Sequence, residues 1–351
     1  MVIFGAGASY DSAPDFPLPL SFNGDSGAPW RPPLANDLFR NPNGAFGHIV
    51  KRYEKLPHIL PFLRKPIEGR SVEEELEVLR DQGGEERIRE LAAVQYYLRD
   101  LLFDSTTRWL DKVDGVTNYS PLVGEILRFN KRDEPVCLVT FNYDLLLDRT
   151  LPSYGYKRQG LKDKSYFLAH PVLKLFKPHG SVDWVRFVDL PTADRISPNA
   201  LIEIRANVGL LDEWAQIGLP KEADEFALSR TVFPAISIPL QNKTEDTFAW
   251  PPGHLDYLKE LLPSVTKILI VGWRAREAHF LNILRRSGLP LLLKVLVVGS
   301  NQRDAQATLE YFIHQIGKLI GSHLVPSNCA TAAGGFSEFI LRREAEDFLS
   351  S

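Results

Sequence analysis

The chain has 351 residues, 44% hydrophobic and 24% charged, with a formal net charge of -3 and a pI of about 6.3. That mixture has room for one large α/β domain, or for a core domain with a smaller insertion, and it argues against wholesale electrostatic binding of nucleic acid. No apolar run is long enough to cross a bilayer and the opening "MVIF" lacks the basic segment of a signal peptide, so a soluble, cytoplasmic protein is expected.

In chain order, "MVIFGAGASYDS" reads as a strand, Val2 to Phe4, a tight glycine turn and a helix that begins at Ser9 or shortly after. Two glycines permit close backbone approach to phosphate oxygens, but the dinucleotide fingerprint GxGxxG is incomplete because Tyr10 stands where its third glycine would be. A purely structural turn accounts for "GAGAS" equally well. Residues 11 to 47, rich in Pro, Gly and Asn, read as a loop ending in a short helix at "PLANDLF". "SVEE" has the form of a capping box, with Ser71 as cap and Glu74 reaching back, and after Gly83-Gly84 the apolar residues recur at helical spacing. The helical block from about 48 to 130 is too long for a crossover and predicts a helical insertion within a single domain covering 1–351.

"VCLVT" predicts a buried strand at Val136 to Thr140, followed by Phe141, Asn142, Tyr143 and Asp144. Polar side chains where a parallel strand stops are placed to meet a ligand, although Asn and Asp there are more often turn or capping residues. "VLKLFKPHGSVDW" predicts a third strand broken at Pro178, and "AISIPL" a fourth. His179 would titrate near neutrality and so suits a base; alone, a histidine is more often structural. The basic run from Lys157 to Lys177, with Tyr154, Tyr156 and Tyr166, reads as a solvated face rather than a nucleic-acid surface. "KILIVGW" and "LKVLVVGSN" are the strongest strands and end in Gly272-Trp273 and Gly299-Ser300-Asn301. Arg274 or Arg276 could pair with phosphate, or lie solvated at a helix start. "FSEFILRREAEDFL" predicts a terminal amphipathic helix.

Taken together and in order, "GAGAS", "TFNYD", "KPHGS", "VGW" and "VVGSN", with "PPLANDLF" and "AISIPLQNK", resemble the zinc-free sirtuin-like NAD-consuming domains of prokaryotic antiphage defence systems. The resemblance spans about residues 2 to 301. It implies an α/β fold with a Rossmann-like, mostly parallel sheet flanked by helices, a helical inserted subdomain and NAD+ as substrate. Protein-deacetylating sirtuins carry paired CxxC motifs for a structural zinc; Cys137 and Cys329 cannot supply them, so no zinc module and no metal are expected. Chains of the family often carry a segment before the first strand, whereas here Met1 nearly abuts it.

By position, the resemblance assigns Gly5, Ala6, Gly7, Ala8 and Ser9 to the pyrophosphate and neighbouring ribose. Asn142 becomes the amide that orients the nicotinamide ribose and a water, Asp144 the carboxylate near the carboxamide, and His179 the essential histidine. Phe141 and Gly180 flank these, while Gly272, Trp273, Gly299, Ser300 and Asn301 lie against the adenosine half. The implied reaction is hydrolysis of NAD+ to nicotinamide and ADP-ribose, in defence by NAD depletion. A homo-oligomer is implied, and a partner that is a HerA-like ATPase or helicase or an Argonaute-like protein. The alternatives are a subunit that binds NAD or ADP-ribose without cleaving it and, behind it, an NAD-dependent protein deacylase.

Overall fold

The computed structural model describes residues 1–16, 30–40, 46–66, 70–130, 134–157, 160–161, 170–191, 195–217, 230–240, 248–289, 293–317 and 328–350. Strand β1 (Val2–Phe4) leads into α1 (Ala6–Tyr10), and α2 (Gly47–Val50), α3 (Leu56–Arg64), α4 (Val72–Gln82), α5 (Glu85–Lys112) and α6 (Tyr119–Phe129) precede β2 (Val136–Thr140). Then come α7 (Leu146–Thr150), β3 (Leu173–Phe176), β4 (Gly180–Val188), α8 (Pro198–Ile204), β5 (Leu210–Gln216) and β6 (Val232–Ile236). The chain closes with α9 (His254–Leu261), β7 (Lys267–Val271), α10 (Ala278–Arg286), β8 (Lys294–Val298), α11 (Gln302–Gly317), β9 (Cys329–Ala332), α12 (Gly335–Leu341) and α13 (Glu344–Ser350).

Six strands form a parallel sheet in the order β3-β2-β1-β7-β8-β9. Counted in chain order these are strands 3-2-1-4-5-6, the doubly wound Rossmann arrangement, whose topological switch point lies between β1 and β7. The apolar strand sequences follow from burial on both faces: Ile268, Leu269, Ile270 and Val271 are each 0% exposed. Those four side chains together contribute roughly 6–12 kcal/mol relative to exposure, as an upper bound. Helix α4 begins as its sequence requires, with Glu74 N donating to Ser71 Oγ and Ser71 N to Glu74 Oε2, and the left-handed Gly83 and Gly84 separate it from α5.

Several sequence expectations need correction. The stretch around Pro178 is two strands in two sheets: β3 ends the parallel sheet, and after a turn closed by Gly180 N to Lys177 O at 3.0 Å, β4 becomes the centre of an antiparallel sheet, β5-β4-β6. Pro178 and His179 occupy the middle of that turn, where proline's fixed φ is favoured. Helix α1 starts at Ala6, not near Ser9, and "PLANDLF" holds only a 3-10 turn at Ala35–Asp37. The terminal segment is α12 and α13, separated at Arg343, whose φ is 56°.

The helices between β1 and β2 divide between two cores. Residues of α2 to α4 and of α5 up to Leu102 pack with Val182, Phe233 and Ile236 of the small sheet, whereas Trp109 and α6 pack against the parallel sheet. Lys177 and Lys174 are 0% and 4% exposed and Tyr156 is buried, so these members of the basic run do not form a solvated face; Tyr166 lies outside the described residues.

Candidate functional site

Everything at the switch point is built on backbone contact between the β1–α1 turn and the end of β7. Gly5 N donates to Val271 O at 3.0 Å, Gly7 N to Gly272 O at 3.1 Å and Ala8 N to Gly5 O at 2.9 Å. A Cβ on Gly5 would stand 2.6 Å from Gly272 O, and one on Gly272, at φ 60°, would stand 2.3 Å from Ala8 N. The glycines are therefore required by this packing. The amides of Gly5, Gly7 and Ala8 already donate within the protein, which leaves the exposed Ala6 at the tip of the turn.

Asn142 ties the end of β2 to this turn. Its Nδ2 donates to Gly5 O at 2.9 Å and to Ser9 Oγ at 2.8 Å, and Tyr119 OH lies 3.0 Å from the same Ser9 hydroxyl. Both amide hydrogens are thus used by the protein, and Oδ1 accepts no hydrogen bond among the described residues. Asp144 accepts from Leu146 N at 3.0 Å, the turn-capping role open to any Asp after a strand. Burial pushes its carboxyl above the usual value, against the opposing effect of the Ser9 hydroxyl and of the Lys177 ammonium. Burial also pushes the Tyr119 phenol far up, so it acts as a neutral hydroxyl.

His179 reaches the same segment from the β3–β4 turn. Its Nδ1 is 3.0 Å from Phe141 O; a carbonyl only accepts, so Nδ1 carries a proton. The ring stacks on Tyr143 with centroids 5.6 Å apart and meets Phe141 edge-on at 5.0 Å. Its backbone carbonyl accepts from Ser237 N at 2.8 Å, which fixes the turn to the end of β6. Gly180, next in sequence, has φ 80° and a Cβ there would stand 1.9 Å from Ala235 O.

These contacts bring Gly5, Ser9, Phe141, Asn142, Asp144, His179 and Gly180 together. Trp273 touches Gly5 but is only 4% exposed: it stacks on Phe141 at 5.0 Å and 11°, and its Nε1 donates to Glu277. It packs within the core of the parallel sheet. Arg276 lies over the Tyr311 ring and Arg274 is exposed. Ser300 and Asn301, both exposed, bond to Asp304, and Asp304 N donates to Asn301 Oδ1 at 2.9 Å, so Asn301 caps α11. Gly299 gives close approach to Ala305, where a Cβ would lie 2.9 Å from its backbone N.

Four residues at the site have no site role assigned from the sequence: Tyr119, Tyr143, Lys177 and Glu277. The buried Tyr143 phenol is pushed far up by desolvation first and then by the charges of Glu73 and Glu277. Lys177 had a signal, a lysine on the boundary of an apolar strand; Tyr119, which arrives from α6, had none.

Cys137 on β2 and Cys329 on β9 are four strand positions apart, about 19 Å at the usual inter-strand spacing, so the two thiols share no site. Among the described residues His58, Glu86 and Glu90 lie close enough together to hold a cation, but Glu86 is paired with Lys55 and Arg89, and Glu90 with Arg87. No family model matches this chain, and no curated protein matches it.

Proposed function

We propose that the protein hydrolyses NAD+ at the nicotinamide–ribose bond, as its resemblance to zinc-free sirtuin-like defence enzymes implies. One observation carries the reading: Asn142 and His179 both attach to the backbone at the ends of β1 and β2, beside the switch point of a 3-2-1-4-5-6 sheet. That is where such sheets take dinucleotides.

The leaving group is a neutral base released from a cationic pyridinium, so the reaction needs no general acid. It needs positioning, stabilisation of an oxocarbenium-like centre, and a proton acceptor. Asn142 offers its Oδ1, because both amide hydrogens hold Gly5 and Ser9, and that oxygen orients a ribose hydroxyl or the attacking water by accepting from it. His179, with its proton on Nδ1, takes a proton at Nε2. Asp144, where ionised, supplies negative charge beneath the reacting ring. With the glycine-turn amides largely occupied, the pyrophosphate is held at the exposed Ala6 tip, and Ser300 and Asn301 offer hydroxyl and amide groups to the ribose on the adenosine side.

In the same proposal the helices between β1 and β2, with the small sheet, form an inserted subdomain over the cleft. The chain acts in the cytoplasm as a homo-oligomer, alone or with a HerA-like ATPase or Argonaute-like partner, and needs no zinc module. Incubation with NAD+ followed by identification of nicotinamide and ADP-ribose tests this, with His179→Ala and Asn142→Ala expected to release nicotinamide at least about 10²-fold more slowly. Equal release by both variants would overturn the assignment.

A second reading, a subunit that binds NAD or ADP-ribose without cleaving it, is favoured by the low exposure of the pair: Asn142 and His179 are each only 6% exposed. Recovery of unchanged NAD+ bound to the wild-type chain after prolonged incubation would select it.

A further inference from the structure

Two loops carry the candidate residues, and their spacing is symmetrical. Asp144 lies two residues after Asn142, and Lys177 two residues before His179. Lys177 is 0% exposed, and its Nζ donates to Asp144 O at 2.6 Å and to Asp148 Oδ2 at 2.8 Å. Two further hydrogen bonds join the same loops, Val182 N to Tyr143 O at 3.0 Å and His179 Nδ1 to Phe141 O at 3.0 Å. Of the three, the ammonium is the only one that reaches past the turn into α7.

A buried ion pair is weak evidence of stabilisation, because desolvating two charges offsets most of their attraction and an apolar pair often serves a fold as well. Here the pair is incompletely satisfied: Asp148 Oδ1 is buried and has no hydrogen-bond partner among the described residues. Holding the fold together therefore does not account for an ammonium at this place. Its bond to the Asp144 carbonyl does, since that bond fixes the end of the Phe141–Asp144 turn against the turn that presents His179.

We infer that Lys177, anchored by Asp148, is a positioning residue that sets the separation of Asn142 and His179 by clamping their two turns together. The kinetic consequence rests on the NAD+ hydrolysis proposed above, but the clamp itself does not.

Replacing Lys177 alone leaves two buried carboxylates and endangers the fold, so the informative variant is the double Lys177→Met, Asp148→Leu, which substitutes an apolar pair. It should fold with wild-type-like thermal stability and keep its KM for NAD+, while kcat falls about 10²-fold, the scale of a misplacement near 1 Å. In the unliganded protein, the Val182 amide should exchange faster and the ¹⁵N signal of His179 should lose its single Nδ1–H tautomer. Wild-type kcat in the folded double variant overturns the inference. So does failure of that variant to fold, because the pair would then hold the fold rather than the turns. If the wild-type chain itself releases no nicotinamide, the hydrolase reading fails and the amide-exchange and imidazole signals alone decide the clamp.

Discussion

Asn142 and Ser9 are joined by a hydrogen bond of 2.8 Å from the amide Nδ2 to the hydroxyl oxygen, so the end of β2 is tied to α1 beside the switch point of the sheet. Asn142→Ala removes it together with the Nδ2 bond to Gly5 O, but Gly5 O keeps Ala8 N and Ser9 keeps Tyr119, so the folded state should lose about 1 kcal/mol per bond, about 2 kcal/mol in all. Asn142→Asp is the sharper variant. Its ionised carboxylate would face the Gly5 carbonyl and lie near Asp144, so stability at neutral pH should drop below that of the alanine variant and recover as acid restores a donor. Urea midpoints of both variants across pH check this.

How much of this was legible in the sequence depends on where the controlling interactions lie. β2, β7 and β8 could be read residue by residue because continuous apolar runs ending in polar residues arise from burial on both faces of a parallel sheet. The capping box at Ser71 was legible because both partners lie within one turn. The small sheet was not: β5 alternates poorly, with Asp212 and Glu213 both exposed, and β4 continues the apolar run of β3 through a turn that redirects it into another sheet. At the site, the types and order of Asn142, Asp144 and His179 are visible in the sequence, but Lys177 reads as part of a solvated basic run because its partner Asp148 lies 29 residues away. Trp273 and Asn301 have the bland roles that a strand end allows, core packing and helix capping.

Gly180 and Gly155 both have φ near 80°, at 80° and 85°, but only Gly180 is enclosed. Gly155→Ala meets nothing within 4 Å and should cost only the left-handed backbone penalty, about 1–2 kcal/mol. Gly180→Ala would push a methyl to 1.9 Å from Ala235 O, where β4 pairs with β6, and should cost more than about 4 kcal/mol. Side-by-side thermal melts test the difference; similar melting temperatures would contradict the packing of the His179 turn.

Asp144 should give stability and activity effects of opposite sign. Its folded carboxyl is raised above the ordinary 3.8, chiefly by burial, so between the two values the native state binds more protons than the unfolded chain. Stability from this group is therefore full below 3.8 and is lost as pH rises through the folded value. Asp144→Asn keeps an oxygen for Leu146 N, removes that loss, and should exceed the wild type in stability at neutral pH. If the charge assists an oxocarbenium-like centre, the same variant should release nicotinamide more slowly. Denaturation midpoints between about pH 4 and pH 8, set beside turnover, would show both trends.

Asn301 separates a ligand contact from a helix cap. Its Oδ1 accepts from Asp304 N at 2.9 Å and its Nδ2 donates to Asp304 Oδ2 at 2.8 Å, which satisfies one of the orphan amides at the start of α11. Asn301→Ala should lower stability by about 1 kcal/mol, and Asn301→Ser, which retains a capping oxygen, by much less. A ribose contact would show a different ranking, with KM for NAD+ raised in both variants because neither offers an amide. Stability lost only in alanine, with KM unchanged in both, would confine the residue to capping and place the adenosine contacts on other groups at the ends of β7 and β8.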